Sequence, residues 1–449
     1  MASRIQQRGW ISKVFVVGLA LAIAGGAFRA EANVGDLELR RLVKGQLPRM
    51  LAFYKKLHAN PELSGQEKWT SKQIAIELRK LGMQVKRGVG GNGVVGILRN
   101  GQGPTLLYRA DMDALPIVEA TGLPYASRNK GVMHACGHDI HMSVGVGAMK
   151  ILAALRKHWG GTLLYVSQPA EETGKGARAM LADPVFKKIL AKVGKPKLAL
   201  ALHDSADLPA GQVSLVSGYA AANVDSMDII VHGKGGHGAR PQEAIDPILI
   251  ASEIVVALQS IVARRISPTE KAVVTVGKFS AGSKHNIIPA KATLLLTIRS
   301  YTDKVRKLLL DEIRRVALNV AKAHHAPRDP EVILLDEFTP ALFNNPQWTE
   351  RLRHRFSQIL GGKNVQTHIP SMGGEDFGQF SRRLKIPGVM WKLGAAFAKG
   401  FDASKPRPGL HSAKYAPDAG PTLFTGMLTA SSALLFAFGP PSDAPAGAR

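Results

Sequence analysis

Four short apolar runs, VVGIL (94–98), TLLYR (105–109), GTLLYVSQ (161–168) and KLALAL (197–202), alternate with amphipathic stretches. No other feature limits the fold as strongly. The runs read as strands and the stretches between them as helices, the pattern of an α/β protein with a mainly parallel central sheet. One helix is predicted from about His141 to Lys157. Polar side chains stand where the strands end. Asp111 and Asp113 follow TLLYR, Glu171 and Glu172 follow TLLYVSQ, and His203 follows LALAL. In open α/β sheets, sites are built at the carboxyl ends of strands. Several candidates at equivalent places weigh more than any one alone.

From about Gly218 the pattern changes. DSMDIIVHG, KAVVTVGKF, ATLLLTIRS and EVILLD read as strands. DPILIASEIVVALQSIVARR reads as a helix with Ile248, Ala251, Ile254, Val255, Leu258 and Ile261 on one stripe, and DKVRKLLLDEIRRVALNVAKAH as a second. The order β-α-β-β-α-β predicts an inserted α+β, ferredoxin-like unit. The expected division is a first domain in two parts, 33–217 and 338–437, around an insert at 218–337, with a disordered tail at 438–449. There are no internal repeats.

The start of the chain reads as an export signal over residues 1–32. Arg4, Arg8 and Lys13 precede the apolar stretch VFVVGLALAIAGGAF, and Ala30-Glu31-Ala32 supplies a small-x-small cleavage pattern. The mature chain is expected to begin near Asn33 and to be periplasmic or secreted. No later run is expected to span a membrane. The net charge of +25 attracts anions or an anionic envelope. However, the 59 Lys and Arg are scattered, with no basic tract interleaved with aromatics, so they read as a solvated surface and no nucleic-acid partner is expected.

The single cysteine of the chain lies in GVMHACGHDIHMSVG, with His134, His138 and His141 close by. One cysteine forms no internal disulfide, so Cys136 is inert and buried, reactive, or a ligand. Gly137 permits a tight turn that brings Cys136 and His138 to one point. A thiolate and an imidazole suit zinc, with manganese or cobalt as alternatives. A buried cysteine beside a satisfied histidine reads equally well from the pair alone. Glu171 and Glu172 are consecutive carboxylates whose side chains diverge, so one can ligate while its neighbour faces a substrate. Asp111 and Asp113 repeat the argument, and turn capping is the plain alternative.

RADMDALP, HACGHDIH, QPAEETGKGA, GKGGHGARPQEAIDP, HNIIPAKATLLLTIRS, MGGEDFGQF and LHSAKY occur in one order over roughly residues 40–435. Together they resemble the metal-dependent amidohydrolases of peptidase family M-twenty, and within it the hippurate hydrolase and auxin-conjugate hydrolase subfamily. The resemblance implies a zinc-exopeptidase-like catalytic domain with an inserted lid and dimerisation domain. It also implies hydrolysis of N-acyl amino acids or small peptides at a site of two divalent metal ions. By resemblance, Cys136, His138, Glu172, His203 and His411 match the ligand positions and Glu171 the general base. Asp113 matches a carboxylate that orients a ligand histidine, and Asp139 is a weaker candidate for the same task. His237 matches a histidine that reaches the active site of the partner subunit in a homodimer. Asn286 and Arg299 match positions that bind a substrate carboxylate, a task for which the planar guanidinium is suited. His237 as the cap of a glycine turn and Arg299 as a surface residue remain open.

The chain departs from the family pattern where DSAD follows His203 and where Lys175 interrupts a glycine run. Neither is expected to touch a ligand. Two rival readings stay open at this point. One is a cysteine hydrolase in which His138 or His134 activates Cys136. The other is a non-catalytic basic binding protein on an inherited hydrolase fold.

Overall fold

The computed structural model describes residues 35–440. The expected export segment and the end of the expected tail, 441–449, lie outside the described residues. Among these, the larger sheet has eight strands, in the spatial order Gln84–Val89, Gly93–Asn100, Gly161–Gln168, Thr105–Asp111, Leu198–Pro209, Gly388–Ala396, Val213–Leu215 and Val365–Thr367. Its middle four strands run parallel to one another. The Thr105–Asp111 strand is buried at every position, so both sheet faces need cover. Leu106 and Tyr108 pack under the helices Asp36–His58, His138–Ala154 and Ala419–Phe438, while Leu107 packs under Gly176–Ala182, Pro184–Val193 and Gly378–Leu384. The result is three layers with the sheet between.

The helix expected at 141–157 runs from His138 to Ala154. Gly137 starts it early with φ 70°, and a short 3-10 turn, Arg156–His158, ends it. Two glycines let this helix lie close to its neighbours. A Cβ at Gly145 would stand 2.7 Å from the Tyr165 ring, and one at Gly147 would stand 2.3 Å from Met427 Sδ. The Ala419–Phe438 helix is apolar and long enough to cross a bilayer, against the expectation that no later segment would be. It serves as a core helix instead, with Leu423, Met427, Leu428 and Leu434 inside the main cluster.

The insert is a four-stranded antiparallel sheet in the order Ala272–Ala281, Lys291–Ser300, Asn223–His232, Glu331–Leu334. The helices Pro247–Arg265 and Asp303–Ala323 share one apolar cluster with it, which gives the expected ferredoxin-like unit. Asp246 and Thr302 cap the two helices by accepting from Ile248 N and Val305 N. The stripe differs from expectation at its first member. Ile248 is exposed, and Ile250 takes the inward place.

Candidate metal centre

The site is assembled where strand ends and one helix start converge. Asp111 closes the Thr105–Asp111 strand, and Asp113 follows two residues on. Gly137 is needed for a second reason besides its φ. A Cβ there would lie 2.1 Å from Asp204 Oδ2, so only glycine lets the turn approach that carboxylate. The turn leaves Cys136 just ahead of the helix and His138 as its first residue. The Glu171–Glu172 turn follows Ala170 at φ 50°, and Glu172 N donates to Asp113 Oδ2 at 3.0 Å. His411, at φ 65°, is held by its backbone N–H to Ala135 O at 2.8 Å.

His203 is not at a strand end as expected. The Leu198–Pro209 strand continues through it, because pairing with Gly388–Ala396 keeps the backbone extended to Pro209. Asp204 also corrects the sequence reading, since it does touch a proposed ligand. Its Oδ1 lies 3.3 Å from His203 Nδ1, and its backbone carbonyl accepts from that nitrogen at 2.8 Å.

The five residues matched to ligand positions come together. Cys136 Sγ lies 3.6 Å from His203 Nε2 and 3.3 Å from His411 Nε2. Glu172 Oε1 lies 3.5 Å from His411 Nε2 and 3.8 Å from His138 Nε2. Two clusters share the cysteine, Cys136–His138–His203 and Cys136–Glu172–His411, each with donor atoms within 4.8 Å of one another. The sulfur therefore sits where it can serve two cations. Glu171 joins His138 and Glu172 within the same limit.

The donor set fits divalent cations on its own chemistry. His138 Nε2 and Glu172 Oε1 are buried without a hydrogen-bond partner. Such atoms cost free energy unless something binds them. His203 donates from Nδ1 to Asp204 O, which turns the Nε2 lone pair toward Cys136. Burial and Lys392 hold His203 below its ordinary value and so keep it neutral, the form that ligates. Asp113 Oδ1 stands 3.3 Å from His138 Nδ1. The Asp139 carboxylate departs from expectation. It lies 2.6 Å from His58 Nδ1 and contacts no ligand histidine, because its side chain points back toward the Asp36–His58 helix.

Glu171 is partly exposed to the cleft. Burial and the carboxylates Glu375 and Asp376 push its carboxyl well above the usual range, with Arg109 opposing. Burial pushes the Cys136 thiol well up, the opposite of what an activated cysteine nucleophile needs. His134 is buried with both nitrogens unpartnered, and burial holds it down to about 4. It is a neutral core histidine.

Sequence reading missed the frame beneath the site. Arg109 is fully buried and donates to Asp111 at 2.6 Å, to Glu375 at 2.9 Å and to Asp376 at 3.2 Å. His141 is clamped between Asp111 Oδ1 at 2.6 Å and the backbone N–H of Asp204 at 2.9 Å. The Tyr415 hydroxyl donates to Asp204. The adjacent acids of MGGEDF were the available signal for Glu375 and Asp376.

Three expected residues are not brought in. His237 and Asn286 are exposed on the insert, at a two-stranded ribbon of Gly236–His237 and Ile287–Ile288. The Arg299 side chain donates to Thr297 Oγ1 at 3.0 Å and approaches Gly374. Among the described residues, no hydrogen bond or ion pair links these three to the cluster.

The family model described as Peptidase family M20/M25/M40 matches residues 107–416. The hippurate hydrolase of Campylobacter jejuni is 38% identical over 335 residues, 73% of this chain and 84% of that protein. A probable hydrolase of Synechocystis sp. is 36% identical over 400 residues, 88% of this chain and 98% of its own length. Among solved structures, a Staphylococcus aureus aminohydrolase superposes with TM-score 0.80 at 31% identity, covering 90% of this chain and all of that one. A Bacillus subtilis protein described as a dinuclear metal binding peptidase gives 0.70 at 28% identity, covering 88% and 99%.

Proposed function

The chain belongs to peptidase family M20/M25/M40, and from that premise we propose that it releases a carboxylic acid and a free amino acid from N-acyl amino acids or small peptides. It is a metal-dependent amidohydrolase. The observation that carries this is the convergence of Cys136, His138, Glu172, His203 and His411 around unpartnered buried donor atoms, with Glu171 alongside. These five residues would hold two divalent ions. When bound, the ions supply Lewis acidity to the amide carbonyl and to water.

The chain's own residues do the rest. Glu171 faces the cleft, its carboxyl raised by burial and by Glu375 and Asp376, and is placed to accept a proton from the attacking water and pass it to the leaving amine. Arg109 anchors the acids beneath it. His203 is fixed in one tautomer by the Asp204 backbone carbonyl, so this donor does not reorganise during the reaction.

The finer assignments belong to the same proposal. Zinc is the expected ion, from the thiolate and imidazole donors, with manganese or cobalt as alternatives. A homodimer through the insert is supported by the exposed Leu249 and Val256 of the Pro247–Arg265 helix, next to the free edge of the Ala272–Ala281 strand. His237 would then serve the partner's cleft, and Asn286 and Arg299 the substrate carboxylate. Export through residues 1–32 completes the reading.

The test is elemental analysis of purified protein together with a panel of N-acetyl, N-benzoyl and dipeptide substrates. The expected result is two ions per chain and turnover that chelation abolishes and divalent metal restores. Chelator-resistant turnover would return the reaction to Cys136. Absence of both metal and turnover would favour a binding protein.

A further inference from the structure

Beside His203 the sheet carries a row of side chains that the hydrolytic centre leaves unused. His203 is in register with Lys392 on one side, and Lys392 with Ser214 on the other. Directly paired residues share a sheet face with Cβ atoms about 5 Å apart, so these three side chains stand abreast. They line one cavity of about 60 Å³ that begins at the histidine. Val216, Ala221 and Met390 supply its apolar wall.

Its polar groups lack partners. Ser214 is 2% exposed, and its hydroxyl bonds to nothing. Among the described residues, no carboxylate pairs with the half-buried Lys392. Glu375 also lines the cavity; its Oε1 accepts from Arg109 at 2.9 Å, and its Oε2 has no partner. His368 is held below its ordinary value by burial and by Lys392, with Asp207 opposing, so it offers the cavity a hydrogen bond without charge. An ammonium and a hydroxyl beside an apolar wall are satisfied together by an anionic oxygen ligand.

We propose that this cavity receives a second carboxylate, so that the preferred substrates are N-acyl amino acids with an acidic group on the arm that passes His203. The inference rests on the amidohydrolase reading and narrows its substrate class. A cavity of this size holds about four waters, enough for a carboxylate on one or two methylenes.

The test uses the metal-loaded full chain and two matched substrate pairs. N-benzoyl-glutamate against N-benzoyl-glutamine places the charge on the amino-acid arm, and N-succinyl-glycine against N-butyryl-glycine places it on the acyl arm. The acidic member of one pair is expected to win in kcat/KM by about tenfold. Lys392→Met removes that preference, Lys392→Glu reverses it, and Lys392→Arg keeps it. Calorimetry gives a readout independent of turnover, with glutarate binding more tightly than butyrate to the wild type and equally to Lys392→Met. No preference in either pair, or a preference that survives Lys392→Met, overturns the assignment. If the metal-loaded protein hydrolyses no N-acyl amino acid, the amidohydrolase reading falls and takes the substrate class with it. The glutarate comparison still decides whether the carboxylate site exists.

Discussion

The metal centre and the ribbon at the tip of the insert both present histidine and amide or carboxylate groups, yet they are built in opposite ways. In the centre, His138 and His203 are buried, and Asp113, Asp204 and His141 brace them from below. At the ribbon, His237 is exposed, and its Nδ1 accepts only from Ala239 N, two residues along. A site that must hold charge at set positions needs neighbours that fix each group beforehand. A group with one local bond in solvent has to be positioned by something else, in the proposed dimer by a second subunit.

Breaking the centre should have the largest effect. Glu171→Ala is expected to lower kcat by about 10³- to 10⁴-fold while elemental analysis still finds two ions per chain. Near-normal turnover in that variant would remove Glu171 as the base. Next comes the ribbon, where His237→Ala should cost about 10²- to 10³-fold in kcat/KM with metal content unchanged. Mixing inactive Glu171→Ala subunits with inactive His237→Ala subunits sharpens the comparison. Recovery of activity means that His237 acts across the interface, and no recovery confines it to its own chain.

The scaffold behind the centre gives a stability effect. His58 lies between Asp139 at 2.6 Å and Glu119 at 3.2 Å. Although burial opposes it, these two carboxylates raise the histidine from 6.5 to about 10. A group raised on folding stabilises the protein fully below its unfolded value, and that contribution is lost as the pH rises through its folded value. His58→Leu should therefore cost about 3 kcal/mol in denaturant unfolding near pH 6, with the deficit shrinking as the pH approaches 10. A deficit that stays constant over that window would show that His58 is not charged in the folded state. The smallest effect is expected at the insert surface. Val256→Glu should change stability by no more than about 0.5 kcal/mol but yield monomers in light scattering. A dimer that persists moves the interface elsewhere.

Much of this comparison was legible in the residues, though unevenly. The period-two and period-3.6 runs located the insert's four strands and two helices, because half-buried elements carry their own pattern. The residues around Cys136 by themselves left a ligand and a buried core cysteine open, and it was the resemblance of the ordered motifs to the family that pointed to a ligand. Arg109 gave no such signal. It ends a strand that reads as plain core, and its partners Glu375 and Asp376 lie 266 and 267 residues away. Asp204 was read as part of a departure that touched no ligand, whereas the Gly137 turn brings it against the helix start and the continuing strand keeps it beside His203. Lys392 carried no signal in the sequence, and only its register with His203 and Ser214 gives it a place beside the site.

By itself, then, the chain determined its elements and the kinds of donor atom available, because period and side-chain chemistry are local properties. The tertiary structure alone decided which donors meet, which acids brace them, and which histidine is left exposed. Those outcomes depend on strand order and register, which join residues hundreds of positions apart and leave no local trace in the order of the amino acids.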